Sequence, residues 1–293
     1  MTETANRQTE SSAPAVQPDR RAAKLDSGFR VELKGVNKIF PPQGEGEPLV
    51  AVQNTDIQVN PKEFVTIVGP SGCGKTTILN MISGLIDPTA GQILVDGEEI
   101  EDRRVRFGYM FQKDLLFPWR TIRQNVALGI EVLGTPRGEA RQRAQEILEE
   151  FGLGAFGDSY PTQLSGGMRQ RAALMRTLLC DREILLLDEP FGALDAMTRS
   201  IMQEWLLSIW EKDHRTIIFI THDIEEAVFL SDRVLMMSAR PGRIKGELSI
   251  DLERPRDHTM LTSTHFNELK RIVLEQIYEE SVKAASPGGE LAE

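Results

Sequence analysis

The sequence predicts an α/β fold built on a mostly parallel sheet, with an antiparallel β region at its start and a helical block inserted midway. Three observations carry this. Continuous apolar runs at Phe64–Val68, Ile184–Leu187 and Thr216–Ile220 have the composition of strands buried on both faces of a parallel sheet. Helix-like stretches with apolar residues three and four apart alternate with them, from Thr76 to Leu85 and from about Ala196 to Lys212. The first run also leads at once into Gly69-Pro-Ser-Gly-Cys-Gly-Lys-Thr76, so strand, glycine loop and helix follow one another.

The elements follow in order. Residues 1–28 are polar, rich in Thr, Ser, Ala, Gln and Pro, and lack the apolar core of a signal peptide, so they read as a disordered extension. From Phe29, Phe-Arg-Val-Glu-Leu alternates as a half-buried strand does, and after a Pro- and Gly-rich loop Val50–Val52 and Thr55–Val59 alternate again. The turn Asp87–Gly91 feeds Gln92–Val95 and a tight turn at Asp96-Gly97. From about Lys113 to Cys180 the pattern is helical, with Thr121–Val132 and Gly138–Phe151 the clearest stretches. Near the end, Phe266, Leu269, Ile272, Val273 and Ile277 mark one face of a helix over about 263–282, read as packing, with a small regulatory role as the alternative. Beyond Ala284 the chain is small and polar and reads as loose.

Composition sets limits. The 293 residues suffice for a large core, and no apolar run reaches the ~18 residues of a membrane span. A formal charge of −10 disfavours a broad nucleic-acid surface. Only two cysteines occur, Cys73 and Cys180, so a disulfide framework is not expected.

The glycine loop is a complete G-x-x-x-x-G-K-[ST] motif, which implies a nucleoside triphosphate site. Gly69, Gly72 and Gly74 let successive N–H groups face phosphate oxygens, and Pro70, Ser71, Cys73 and Thr77 belong to the same cradle at a helix N-terminus. Lys75 supplies a charge for the β- and γ-phosphates, and the Thr76 hydroxyl is a ligand for Mg²⁺. Cys73, at a helix start, is expected to carry a lowered thiol pKa and to be alkylated in an ATP-protected way. The run Ile184-Leu-Leu-Leu-Asp188-Glu189 ends a buried strand on two carboxylates, a costly placement unless a cation sits beside them. Asp188 is expected to hold the metal, and Glu189 to orient and polarise the attacking water. Ser165, Gly166 and Gly167 open a second helix, beginning near Met168, as another anion-binding N-terminus.

Leu164-Ser-Gly-Gly-Met168, together with the phosphate loop and Asp188-Glu189, resembles the ATP-binding-cassette (ABC) ATPases over roughly residues 29–250. The resemblance implies a P-loop NTPase cassette with a RecA-like, mostly parallel core sheet, an antiparallel β subdomain and an inserted α-helical subdomain at about 113–180. It implies two cassettes packed head to tail, each ATP held between the phosphate loop of one and Ser165–Gly167 of the other. By the same resemblance Gln112 senses the γ-phosphate and metal, Asp195 crosses the dimer interface, His222 is the switch histidine on the γ-phosphate, and Phe40 stacks on adenine. Met168 stands where the family often has Gln, and Phe40 where Tyr is common.

Leu115–Ile122, Phe191–Ala196 and Arg254–Asp257 are similar to a branch of bacterial importers for nitrate, taurine, alkanesulfonates and related anions. That similarity implies two membrane-spanning permease subunits, a periplasmic or lipid-anchored binding protein, and a place on the cytoplasmic face of the plasma membrane. Phe117 and Trp119 fall where such cassettes receive a permease helix. The alternatives are an exporter ATPase, or a soluble ABC ATPase acting on nucleic acid or ribosomes. The short helical insert, the single cassette and the acidic charge weigh against the latter.

Overall fold

The computed structural model describes residues 28, 30–42, 44, 46–99, 103 and 106–285. Apart from Gly28, the extension read over 1–28 lies outside them, as does the tail after 285.

A three-stranded antiparallel sheet opens the fold: β1 (Val31–Phe40) lies between β2 (Leu49–Val59) and β4 (Ala90–Val95). The main sheet has six strands. β3 (Phe64–Val68), β5 (Phe107–Met110), β6 (Ile184–Asp188), β7 (Thr216–Ile220), β8 (Arg233–Met237) and β9 (Ile244–Ser249) run in the order β5-β6-β7-β3-β8-β9. Every neighbour is parallel except the antiparallel edge strand β9.

The apolar runs divide by alternation between two cores. Phe64, Val68, Leu185, Leu187, Ile217 and Phe219 face one core, shared with the helical layers. Val65, Ile67, Ile184, Leu186, Ile218 and Ile220 face a second, shared with the small sheet and α1 (Lys75–Ile82). Burial on both sides is why these strands contain almost no polar residue.

α2 (Ile122–Val132), α3 (Arg137–Glu150) and α4 (Gly166–Leu179) pack on one another as the inserted block. Thr121 starts α2 through a reciprocal capping box with Gln124. α5 (Ala196–Asp213), α6 (Ile224–Leu230) and α7 (Thr264–Ala285) complete the chain, with α7 against α6 and β8. Phe266, Leu269 and Val273 are the buried face of α7. Arg254 and Arg256 fasten the segment before it. Arg254 lies 4.2 Å over the Trp210 ring and pairs with Asp232 at 2.7 Å. The buried Arg256 donates to the carbonyls of Phe229 and Ser231 at the end of α6, at 2.9 and 2.8 Å.

Three departures from the sequence reading stand out. α1 stops at Ile82 and not at Leu85, because Gly84 turns left-handed (φ 76°) and the Leu85 and Ile86 N–H groups fold back onto Asn80. α4 begins at Gly166, two residues before Met168. Strands β5, β8 and β9 also join the sheet beyond the runs singled out. β5 is only four residues, Phe-Gly-Tyr-Met, too short to show a period.

Candidate nucleotide site

The phosphate loop joins the end of β3 to the start of α1. Gly72 and Gly74 are left-handed, at φ 73° and 110°, and a Cβ on Gly74 would lie 2.8 Å from the Ala51 carbonyl oxygen. Glycine is therefore required at that position by conformation and by space alike. Lys75 is 6% exposed, and its ammonium donates to the carbonyls of Gly69 (2.8 Å) and Pro70 (2.9 Å). The cation is thus held across the loop, and Ser71 and Thr76 are exposed on its open side.

Asp188 ends β6 and is 1% exposed. Burial pushes its carboxyl pKa up; a hydrogen bond from Thr76 and the charge of Lys75 work against this, while Glu189 adds to it. Its Oδ1 has no hydrogen-bond partner among the described residues. An orphaned, buried carboxylate oxygen beside a threonine hydroxyl is the donor set a hard cation takes, so the residues fit Mg²⁺. Among the described residues no group of three or more His, Cys, Asp or Glu is arranged to hold a metal ion by itself. The remaining oxygens around such an ion would come from phosphate and water.

Glu189 follows at φ 48°, an uncommon backbone for a residue with a side chain. Its N–H donates to Ile220 and its carbonyl accepts from the buried Gln170, which hold that conformation. Gln112, two residues past β5, donates Nε2 to Glu189 Oε2 at 3.3 Å. His222, two residues past β7, brings Nδ1 to the same oxygen at 3.3 Å, with its ring largely exposed. Glu189, Thr221, His222 and Glu226 line a space of about 10 Å³, close to the room a single water takes.

The structure therefore gathers Lys75, Thr76, Asp188, Glu189, Gln112 and His222 at the carboxyl ends of adjacent strands, where ligands of open parallel sheets bind. Phe40 lies elsewhere, at the end of β1 on the small sheet, with the Lys38 ammonium 5.2 Å from its ring. Ser165–Gly167 stand apart on the helical block. Ser165 accepts from the Met168 N–H at 3.3 Å as the cap of α4, and Ser165 and Gly166 are exposed. Asp195 caps α5 through the Thr198 N–H, which holds its carboxyl below the usual range.

One expectation needs correction. Cys73 does not carry an activated thiol: it is buried, and desolvation pushes its pKa up, outweighing the lowering effect of Lys75. Its backbone remains in the cradle. Glu226 stands in the first turn of α6. It is buried and accepts from Thr221 Oγ1 (2.6 Å) and Gln203 (3.1 Å), so it braces the turn that carries His222.

Polar residues that the sequence reading passed over shape a groove nearby. Asn125, buried in α2, accepts from the Phe117 N–H at 2.7 Å and donates to the carbonyls of Phe117, Arg120 and Thr121. Arg169 and Arg176 of α4 hold Asp114 and the Leu115 carbonyl. The resulting groove, about 440 Å³, is lined by Phe111, Leu115, Phe117, Val132 and Thr177 among others. Leu116 turns inward, while Trp119 is 71% exposed and stacks on Phe117 at 5.0 Å.

The family model described as ABC transporter matches residues 52–192. The chain is 47% identical over 271 residues to an uncharacterized ABC transporter ATP-binding protein of Methanocaldococcus jannaschii, covering 92% of this chain and 99% of that one. The chain belongs to the ABC transporter family. The aliphatic sulfonates import ATP-binding protein SsuB of Bacillus cereus is 44% identical over 246 residues, covering 84% of this chain and 95% of that one. Among solved structures, the ATP-binding cassette MJ0796, a dimer in a post-hydrolysis state bound to ADP and Pi, matches with a TM-score of 0.69 at 33% identity. That match covers 76% of this chain and all of the cassette. This chain is accordingly an ABC ATPase. No helix among its described residues is long and apolar enough to cross a membrane.

Proposed function

We propose that this ABC ATPase powers uptake of small anions such as nitrate, taurine, alkanesulfonates or related organic acids. The likeness to the sulfonate import protein supports this reading, and so does the groove formed by Phe117 and its neighbours, which suits a helix from a permease subunit. The working unit is two cassettes head to tail on two permease subunits at the cytoplasmic face of the membrane, fed by a binding protein. No nucleic acid takes part.

The observation that carries the chemistry is the convergence of Gln112 and His222 on one oxygen of Glu189. Held this way, the carboxylate is aimed to take a proton from a water beside the γ-phosphate. Gln112 donates a hydrogen bond to this carboxylate and His222 sets Nδ1 against the same oxygen, and through these contacts the γ-phosphate would be reported to it. The N–H groups of residues 71–77 and the Lys75 ammonium bind and orient the phosphates. Thr76, Asp188 and Gln112 would hold Mg²⁺, which when bound supplies positive charge against the phosphate oxygens. Ser165–Gly167 of the second copy would close over the same ATP, with Asp195 at the seam and Phe40 under the adenine. Asp114, Arg169 and Arg176 join the groove to α4, so a push on the groove is felt by the helix that presents Ser165.

Purifying the chain from its native membranes in mild detergent tests the proposal. Recovery of a multi-span permease, with uptake of labelled alkanesulfonate or taurine by the assembly, supports it. Recovery of soluble nucleic-acid or ribosomal proteins alone sinks it.

A further inference from the structure

The loop between β8 and β9, residues 238–243, lies directly against the phosphate loop. Arg240 donates to the Gly72 carbonyl from Nη2 at 2.8 Å and from Nε at 3.2 Å. Gly242 passes so near that a Cβ there would stand 2.0 Å from the Cys73 carbonyl oxygen. Its own N–H and carbonyl bond Ala51 (3.0 Å) and Gln53 (2.9 Å) in β2. The other end of the loop is held by α7. Glu280, 4% exposed, accepts from the Ala239 N–H at 2.9 Å and from the ammonium groups of Lys245 at 2.7 Å and Lys283 at 3.0 Å. Burial pushes the Glu280 carboxyl up, but hydrogen bonds from Lys245, the Ala239 N–H and Lys283 outweigh it and bring it down to about 2. A cavity of about 680 Å³ opens beside Arg240, and among the described residues no carboxylate pairs with its guanidinium. Its placement therefore rests on Gly72 at one end and on the Glu280 tether of Ala239 at the other.

What Arg240 grips matters for phosphate binding. Gly72 has a left-handed backbone (φ 73°) and little steric resistance to reorientation. In a trans peptide the carbonyl and the following N–H point opposite ways. A Gly72 carbonyl drawn outward to Arg240 thus turns the Cys73 N–H inward, where it meets the Pro70 carbonyl at 3.3 Å. That contact closes the turn of the loop, and the curvature it fixes sets where the neighbouring N–H groups of the cradle point. We propose that Arg240 is a positioning residue for the phosphate loop, and that Glu280 of α7 holds Arg240 in place. The C-terminal helix then sets how well the cassette is preorganised for ATP.

The test is steady-state ATP hydrolysis and fluorescent-ATP binding by the full-length chain. Arg240→Ala raises KM and Kd for ATP about three- to tenfold, the range that losing one intramolecular hydrogen bond covers, with a smaller change in kcat. Arg240→Lys recovers part of the loss. Glu280→Gln raises KM less and adds nothing in the Arg240→Ala background, because both act through one contact chain. Unchanged KM in Arg240→Ala, additive effects of the two substitutions, or a lower Tm without any change in ATP affinity each overturn the proposal. The inference rests on residues 69–76 being the nucleotide site. If Lys75→Ala binds ATP at wild-type strength, that reading falls and the inference falls with it. If Lys75→Ala is weakened while Arg240→Ala is not, only the role of Arg240 is lost.

Discussion

The chain carries two helix N-termini suited to phosphate, and they are built differently. The phosphate loop is braced from every side: two left-handed glycines, Ala51 against Gly74, Arg240 on Gly72, and a buried lysine across the mouth. The start of α4 is an ordinary capped helix end, with Ser165 and Gly166 open to solvent and the Ser165 hydroxyl held by the Met168 N–H alone. The first is preorganised to bind a triphosphate unaided, whereas the second is exposed in the manner of a surface completed by another molecule. On the proposed head-to-tail arrangement, rigidity marks the half of the site that would bind first, and exposure the half that would arrive later.

The largest effect expected on this contrast comes from Glu189→Gln, which leaves both cradles intact and removes the base. Turnover should fall about 10²- to 10⁴-fold while ATP binding persists and a closed dimer accumulates in sizing experiments. Wild-type turnover would remove Glu189 from its role. Lys75→Ala breaks the braced half. ATP affinity of the dilute chain, followed by fluorescent-nucleotide titration, should weaken about 10- to 100-fold, as for a lost charged hydrogen bond.

Ser165→Ala sharpens the distinction by touching only the exposed half. It should cost about 1 kcal/mol of stability through the lost cap, weaken ATP-dependent dimerisation, and leave binding by the dilute chain unchanged. If it weakens that binding as much as Lys75→Ala does, the two halves do not work in sequence. The smallest effect concerns Cys73. Burial raises its thiol pKa, so the thiolate is scarcer near neutral pH than for a free thiol. Alkylation should be slower than that of a free thiol at neutral pH and accelerate as the pH is raised. Fast, ATP-protected labelling at pH 7 would show that the braced loop opens.

How far the sequence spoke follows the same divide. The phosphate loop is eight consecutive residues, and Asp188-Glu189 closes an apolar run, so both are legible as strings with a chemical meaning. Gln112 and His222 are lone polar residues after strands. Only their resemblance to a family pattern singled them out, and only the sheet order puts both on Glu189. Gln170 and Asn125 escaped notice because a helix pattern does not distinguish a solvated polar side chain from one buried on a backbone carbonyl. β8 escaped for a different reason. Its Val-Leu-Met-Met run is apolar enough, but its place depends on pairing with β3, about 170 residues earlier in the chain.

The single oxygen of Glu189 that meets both Gln112 and His222 has a mechanical meaning. β5, β6 and β7 are consecutive rungs of the sheet, and each is followed within two residues by one member of this trio. The middle carboxylate is therefore a coincidence gate. A shift of the Phe111–Trp119 segment on one flank, or of the Thr221–Asp223 turn on the other, cuts one of its two contacts and lets the oxygen swing. On the proposed roles, the base is aimed only while both flanks agree, and hydrolysis would answer to the concurrence of a partner's push and a nucleotide's arrival, without any messenger residue between them.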